Sequence, residues 1–150
     1  MEKRRIGVRA IIFKDGKLLA SKFKSKDGES EFWATLGGGL DPGESLVTGL
    51  RREIVEETGI EPVVGRLLFI QQFSSDREDR DEELEFFFHI ENPQDYESID
   101  LSQTTHGVHE LTRCEFIDPT KEYILPSFLE TIDIGDYIHT IQPIHIHDEL

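Results

Sequence analysis

Three glutamates that lie close together in the sequence are the residues best suited to chemistry. Glu53, Glu56 and Glu57 lie in a stretch, 45–58, whose apolar residues have helical spacing. At 100° per residue, a helix places the three carboxylates within an arc of about 100° on one face. Like charges at this spacing repel each other, and a divalent cation removes that repulsion. Carboxylate oxygens are ligands that Mg²⁺ or Mn²⁺ prefers, so the pattern predicts a metal site.

Residues around the three glutamates have the types needed to hold them in place. Arg52 lies one turn before Glu56 and beside Glu53, so its guanidinium can hold both carboxylates. Gly49 lies on the same predicted face and leaves room for a loop or a phosphate to come close. Gly59 supplies the left-handed residue that commonly ends a helix. The sequence therefore predicts a helix with a defined end and an open carboxylate face.

The stretch 38–60 resembles the Nudix box, Gly-x5-Glu-x7-Arg-Glu-U-x-Glu-Glu-x-Gly-U, where U is a bulky aliphatic residue. An acidic surface helix would explain the surplus of glutamates but not the placement of Gly38, Arg52 and Gly59. The resemblance implies an α+β fold, a Nudix-like α/β/α sandwich with a mixed β-sheet between the box helix and a C-terminal helix. It also implies Mg²⁺-dependent hydrolysis of a pyrophosphate linkage in a nucleoside diphosphate joined to another group. Every fixed position of the box is present: Gly38, Glu44, Arg52, Glu53, Ile54, Glu56, Glu57, Gly59 and Ile60.

The resemblance implies roles for individual residues. The three glutamates are expected to bind Mg²⁺, with Mn²⁺ as a substitute, and the carbonyl of Gly38 or of a neighbour to add a ligand. Glu44 and Arg52 are expected to brace the loop and the helix around those ligands.

The residue that activates the attacking water stays open, because family members deploy their general base differently. Glu53, Glu56 and a carboxylate from a loop are the alternatives. A carboxylate that binds metal is a poor free base because its lone pairs are engaged, which favours a loop residue. Glu110 is the first loop candidate, with a solvated strand residue as the competing interpretation, and Glu82 and Glu83 in a charged loop are the next.

Two features that subdivide the family bear on the substrate. ADP-ribose hydrolases often carry a proline downstream of the box, and dinucleoside polyphosphate hydrolases carry a tyrosine slightly later. Residues 74–77 read Ser-Ser-Asp-Arg and contain neither. We therefore expect a nucleoside triphosphate or a similar small nucleotide, with nucleotide sugars and dinucleoside polyphosphates as the alternatives.

Aromatic and basic residues near the box are candidates for contact with a nucleotide. Phe32, Trp33 or Phe73 would stack on a nucleobase, although aromatic residues in strands more often belong to the core. Strand-associated cations would meet phosphates, with solvated surface positions as the alternative: Arg9, Lys22, Lys24 and Arg66.

The rest of the chain supplies the elements expected to position these residues. Apolar runs predict strands at 5–13, 18–24, 31–36, 62–73, 84–90 and 108–117. A second helix is expected over 126–134, ended by Gly135, and an Asp-Gly turn joins the first two strands. Loops are expected at 37–43, 74–83 and 92–106. The segment 136–150 is expected to be either a late strand or a surface arm.

Composition limits the partners. Of the 150 residues, 37% are hydrophobic and 31% charged, which predicts one domain over 1–150 with a tail of uncertain role at 135–150. A net charge of −15 argues against bulk nucleic acid or an anionic membrane as a partner. We expect a small-molecule nucleotide substrate, and a homodimer stays open.

Cys114, the only cysteine in the sequence, excludes an intramolecular disulfide and fits a reducing cytoplasm. We interpret it as a small structural side chain rather than a nucleophile. The sequence has no apolar run near the roughly 18 residues of a membrane span, and its N-terminus lacks the apolar core of a signal peptide. We therefore expect a cytoplasmic protein.

Two other classes of function compete with an enzyme. A regulatory module that binds nucleotides without turnover would be expected to lose metal-binding carboxylates, and this chain keeps all three. An acidic interaction protein would act without Mg²⁺. Pyrophosphate or phosphate release with and without a chelator separates the three classes.

Overall fold

The structure, a computed structural model, describes residues 3–150. Its strands are β1 (Arg4–Ile11), β2 (Phe13–Lys14), β3 (Lys17–Ser25), β4 (Gly28–Glu29), β5 (Trp33–Thr35), β6 (Gly37–Gly39), β7 (Val64–Ser74), β8 (Glu82–Ile90), β9 (Leu111–Ile117), β10 (Ile124–Leu125) and β11 (His145–Glu149). Its helices are α1 (Leu46–Thr58), α2 (Gly107–Glu110) and α3 (Ile134–His139), with 3₁₀ turns at Pro93–Tyr96, Leu101–Gln103 and Ser127–Glu130.

The first sheet is mixed and has five strands in the order β11-β7-β8-β1-β6. β1 pairs parallel with β8 and antiparallel with β6, so that Val8 lies opposite Gly38. β7 is antiparallel to β8 and parallel to β11. The glycines at 37–39, predicted to begin a loop, therefore form an edge strand, because their backbone groups pair with β1.

The second sheet has the order β10-β5-β3-β2, and β4 and β9 also pair with β3. The hairpin between β2 and β3 turns at Asp15 and Gly16, whose φ angles are 52° and 77°. Two successive positive φ angles make the type I′ turn that Asp-Gly favours, so this predicted turn is confirmed.

Helix α1 begins and ends where the sequence predicts. The Ser45 side chain accepts a hydrogen bond from the N–H of Thr48 at 3.2 Å, which caps the first turn. Gly59 ends the helix at φ 76°, and its N–H donates to the carbonyl of Val55 at 2.8 Å. These two caps define the two ends of the helix.

Two apolar clusters account for the layered arrangement. One contains Leu50 and Ile54 of α1, packed with Tyr96 and with buried residues of β1 and β8. The other contains Phe69 and Phe128, together with α3 residues. The mixed sheet thus has α1 on one side and the C-terminal helical segments on the other, which confirms the predicted α+β sandwich.

The predicted helix over 126–134 is wrong in its bounds. Pro126 is extended, with ψ 147°, and is followed only by the 3₁₀ turn Ser127–Glu130. The helix in this region is α3, because the Asp133 side chain accepts a hydrogen bond from the N–H of Asp136 and caps a new helix there. Gly135, expected to end a helix, lies inside α3.

Two predicted boundaries near candidate site residues also differ. The strand expected over 108–117 begins only at Leu111, and Glu110 belongs to the helical turn α2. Glu82 and Glu83, expected in a loop, lie in β8 opposite Ser74 and Phe73. Ladder pairing with β7 extends this hairpin by two residues beyond its apolar run. The predicted loop over 92–106 contains two 3₁₀ turns.

The C-terminal segment adds a strand to the first sheet. β11 pairs with β7 in parallel, with His147 opposite Gln71 and Glu149 opposite Phe73. Of the two alternatives for this segment, the late strand is therefore confirmed. Within residues 3–150, no helix has the length and apolar character needed to cross a membrane.

Candidate active site

Arg52 joins the loop before α1 to the carboxylate face of that helix. Its Nε and Nη2 donate to the two carboxylate oxygens of Glu44 at 2.8 and 2.9 Å. Its Nη1 donates to Glu53 at 3.0 Å and to Glu56 at 3.3 Å. Nη2 also donates to the carbonyl of Gly39 at 3.1 Å. One guanidinium therefore fixes the relative positions of the loop, the edge strand and two of the three glutamates.

Glu44 is held as a carboxylate by these contacts. Hydrogen bonds from Arg52, and then from the N–H of Asp41, lower the pKa of Glu44 to about 2. Glu44 in turn is the largest cause of a raised pKa for the Arg52 guanidinium. The pair stays charged over the whole range in which the protein is expected to work.

Glycine is required where the loop approaches α1. A Cβ on Gly38 would lie 2.5 Å from the carboxylate carbon of Glu53. A Cβ on Gly49 would lie 2.2 Å from Cδ2 of Leu40. Both distances are well below a van der Waals contact, so a larger residue would displace the Glu53 carboxylate or the Leu40 side chain. The close approach anticipated at Gly49 is made by the loop.

Glu57 is the most buried of the three glutamates and points towards β6. Its side chain accepts a hydrogen bond from the N–H of Gly37 at 2.8 Å. Burial raises the pKa of Glu57 to about 8, against the opposing effects of Arg9 and the Gly37 N–H; Glu53 and Glu110 raise it further. The pKa of Glu53 is also raised, mainly by burial. The cluster is thus short of positive charge.

The turn α2 brings further titratable groups to the same place. The N–H of His106 donates to the carbonyl of Glu56 at 2.9 Å, which docks the turn on α1. Nδ1 of His106 lies 3.0 Å from a carboxylate oxygen of Glu56. Glu110 is exposed at the end of the turn and faces the same cavity as Glu57. The structure therefore brings Glu110 close to the box glutamates, as its candidacy as a base requires.

A cavity of about 500 Å³ opens beside Glu57 and is lined by residues of both sheets. Its volume lies in the range of small-molecule sites, roughly 300–1,000 Å³. Arg5 and Arg9 of β1 line it, each paired with a glutamate of β8: Arg5 with Glu83 at 3.3 Å and Arg9 with Glu85 at 2.7 Å. The wall of the cavity formed by β1 and β8 therefore carries both positive and negative side chains.

The predicted nucleotide contacts divide into two groups. Phe32, Phe73 and Arg9 line the cavity. Trp33 is 3% exposed and belongs to a core cluster. The other cations are engaged away from the cavity wall: Lys22 with Glu29, Lys24 with the carbonyl of Val108, and Arg66 with the carbonyls of Ile138 and Thr140.

Several lining residues were not anticipated from the sequence: Arg5, Gln71, Arg77 and Glu85. A signal was present, because Gln71 and Glu85 interrupt apolar strands at positions that face inward. Cys114, by contrast, behaves as expected of a structural side chain, since burial raises the pKa of its thiol to about 12.

The donors present fit a hard divalent cation. Glu53, Glu56 and Glu57 offer carboxylate oxygens on one face of α1, and the absence of a side chain at Gly38 lets the Glu53 carboxylate lie against the loop. Within the described chain, no three His, Cys, Asp or Glu side chains converge into a ready-made cage. Arg52 instead holds two of the carboxylates, so binding would require them to turn from the guanidinium.

The fold and this arrangement define the class of protein, an α+β sandwich with a carboxylate-bearing helix beside a cavity. A profile of the NUDIX domain matches residues 3–130. The chain belongs to the Nudix family.

Similar proteins agree with this assignment. A CTP pyrophosphohydrolase of Escherichia coli K12 is 38% identical over 65 residues, which cover 43% of this chain and 48% of that protein. The matched part thus spans about half the length of that relative. The E. coli ORF135 protein has a similar structure, with a TM-score of 0.68 at 23% identity over 95% of both chains. A MutT Nudix hydrolase from Burkholderia pseudomallei gives 0.67 at 20% identity, over 88% of this chain and 100% of that one. At these identities the two structures show a common fold.

Proposed function

We propose that the protein is a divalent-cation-dependent hydrolase that cleaves a pyrophosphate linkage in a nucleoside triphosphate or a similar small nucleotide. One observation carries this proposal: Glu57, which shares its helix with Glu53 and Glu56, lines a cavity of about 500 Å³ that has the size of a nucleotide site. Family membership and the named activity of the E. coli relative support the reaction class.

Glu53, Glu56 and Glu57 would hold Mg²⁺ or Mn²⁺, with the Gly38 carbonyl as a further ligand. When bound, such ions neutralise phosphate charge and lower the pKa of a coordinated water. Arg52 and Glu44 hold the loop against the box helix. Arg9, close to Glu57 and facing the cavity, offers a positive charge to the substrate.

The general base remains a choice among carboxylates. Glu53 and Glu56 are each bonded to Arg52, whereas the exposed Glu110 faces the cavity from a separate turn. We propose Glu110 for this role, because it is not a metal ligand and its lone pairs are free to accept a proton. Glu83 is held by Arg5 and the Ser75 hydroxyl, and Glu82 pairs with Arg4. These two glutamates are therefore less suitable bases.

The test is a panel of nucleoside triphosphates, nucleotide sugars, dinucleoside polyphosphates and coenzymes, with products identified after incubation with Mg²⁺, with Mn²⁺ or with EDTA. We expect turnover of a triphosphate to a monophosphate and pyrophosphate, loss of turnover in EDTA, and recovery on adding metal. Undiminished turnover in EDTA would refute the metal dependence. Binding of nucleotides without any turnover would instead indicate a regulatory module.

A further inference from the structure

We infer that the cavity selects nucleotides whose base carries an exocyclic amino group, and that Gln71 is the residue that reads it. The inference rests on the proposed function, because that function makes the cavity a nucleotide site. Gln71 lies in the middle of β7, on the inner face of the first sheet.

The Gln71 side chain is buried yet incompletely bonded. The residue is 4% exposed and lines the cavity. Its Oε1 is shielded from solvent and has no hydrogen-bond partner among the described residues. Buried carboxamide oxygens are nearly always paired in folded proteins, so the missing partner leaves this oxygen available to a donor group of a ligand. The nearest open space is the cavity itself.

The neighbouring strand offers a second acceptor. Glu85 lies directly opposite Gln71 in the β7–β8 ladder and is 4% exposed. Arg9 donates to Oε2 of Glu85, and Oε1 takes part in no hydrogen bond or ion pair within the described chain. Side chains paired this way in a sheet have Cβ atoms about 5 Å apart. One ligand group can therefore meet both residues.

These acceptors determine the kind of ligand that fits. A carboxamide can rotate and present its nitrogen, but an ionised carboxylate only accepts hydrogen bonds. A base amino group donates two hydrogens, as in cytosine or adenine, whereas a carbonyl at the same ring position accepts. Uracil and hypoxanthine would thus place an oxygen against the Glu85 carboxylate. Phe32 and Phe73, which also line the cavity, offer ring faces for stacking.

Two pairs of substrates test the amino group: CTP with UTP, and ATP with ITP. Within each pair, one base carries an exocyclic amino group where the other carries a carbonyl. We expect kcat/KM of the wild type to favour the amino-bearing member of at least one pair by at least about 10-fold. Gln71→Leu should lower kcat/KM for that member and leave its carbonyl partner nearly unchanged. The control is Gln72→Leu, the same change on the opposite face of β7, where the side chain donates to Glu82. This control should keep the wild-type ratio.

Equal rates for the members of both pairs in the wild type would overturn the inference, as would an equal loss for all four nucleotides in Gln71→Leu. Gln71→Met repeats the test if the leucine variant fails to fold. Calorimetry with CMP and UMP, and with AMP and IMP, separates this inference from the proposed function, since these products have no pyrophosphate linkage. Tighter binding of CMP or AMP than of its carbonyl partner, with no turnover of any triphosphate, would support the base preference and refute the hydrolase. Equal binding within both pairs would refute the preference.

Discussion

The box region and Gln71 on the cavity wall differ in how their polar groups are bonded. Around α1, one guanidinium bonds Glu44, Glu53, Glu56 and the Gly39 carbonyl, so the charged groups are tied to each other. On β7, Gln71 keeps an oxygen with no partner among residues 3–150. Interlocked groups hold their geometry without a ligand, whereas unpaired ones gain a partner only when a ligand arrives. The difference suggests that the first region positions the chemistry and the second recognises the substrate.

Glu57 lies where the two regions meet. It belongs to the box helix, but Arg52 does not bond to it, and it faces the cavity. Its pKa of about 8 shows a carboxylate that burial leaves without enough positive charge. A divalent cation would supply that charge. A substitution at Glu57 therefore tests the difference between the box region and the cavity wall most directly.

Glu57→Gln should have the largest effect. The change keeps the volume of the side chain and an oxygen that can accept from the Gly37 N–H, but it removes a hard ligand. We expect kcat to fall about 10²- to 10³-fold, because metal assistance is worth several kcal/mol. The metal-free variant should be at least as stable as the wild type, because a pKa raised to about 8 means that burying Glu57 costs stability above pH 4.5, and glutamine does not titrate.

Steady-state kinetics and thermal unfolding in EDTA measure these two quantities. Glu61→Gln is the matched control. Glu61 is exposed just beyond the end of α1, and its substitution changes the net charge by the same amount. If Glu57→Gln unfolds while the control does not, Glu57 is structural and its assignment as a ligand is wrong.

Glu110→Gln tests whether chemistry extends from the box to α2. Removing a general base lowers kcat by about 10²-fold or more, while a residue outside the metal site leaves metal affinity unchanged. Metal titrations beside the kinetics measure both, with the exposed Glu122→Gln as control. Unchanged kcat would return the role to Glu53 or Glu56.

Arg52→Lys tests how far the box depends on its interlocked contacts. Lysine keeps the charge but cannot make the paired contact with Glu44 while also reaching Glu53, Glu56 and Gly39. We expect kcat to fall about 10-fold, as for residues that orient ligands, and the free energy of unfolding to fall by about 1–3 kcal/mol. The neighbouring Arg51→Lys, an exposed position, should change neither quantity. An equal loss of activity in Arg51→Lys would show that any arginine-to-lysine change on this helix lowers activity, so that the Arg52 contacts are not the cause.

The same contrast explains how much the sequence could predict. The box contacts connect residues close in the chain, such as Arg52 with Glu53 and Glu56, and helical spacing predicts them. The cap at Gly59 is likewise local. The class of fold and the carboxylate face therefore followed from residues 38–60.

The cavity wall depends on strand pairing, which spacing does not specify. Gln71 faces Glu85 because β7 and β8 pair in one register, and that register contains irregularities near Leu67. The boundary of α2 was missed because Glu110 lies between the apolar residues Val108 and Leu111, a pattern that resembles a strand. Similarly, α3 begins at a cap, Asp133, that lies at the far end of the predicted helix. Pairing between distant strands decided the register, and local caps that the apolar pattern does not reveal decided the bounds of α2 and α3.

The smallest expected effect concerns the acid stability of the box. The pKa of Glu44 in the folded protein is about 2, against an ordinary value of 4.5, because Arg52 and the Asp41 N–H bond to its carboxylate. A lowered pKa in the folded state means that the unfolded state binds the proton first as pH falls. The stabilisation from Glu44 is therefore complete above pH 4.5 and disappears as pH falls towards 2.

Glu44→Gln makes this contribution visible, because the variant cannot titrate at that position. The difference in unfolding free energy between wild type and variant should be constant above pH 4.5 and shrink steadily below it. Urea unfolding at a series of pH values measures the difference, with Glu61→Gln as the matched control, whose difference from the wild type should change less. A Glu44 difference that stays constant down to pH 2 would show that Arg52 does not depend on the Glu44 charge. The box would then be held by its remaining contacts, and the contrast with the open wall of β7 would be weaker than the structure indicates.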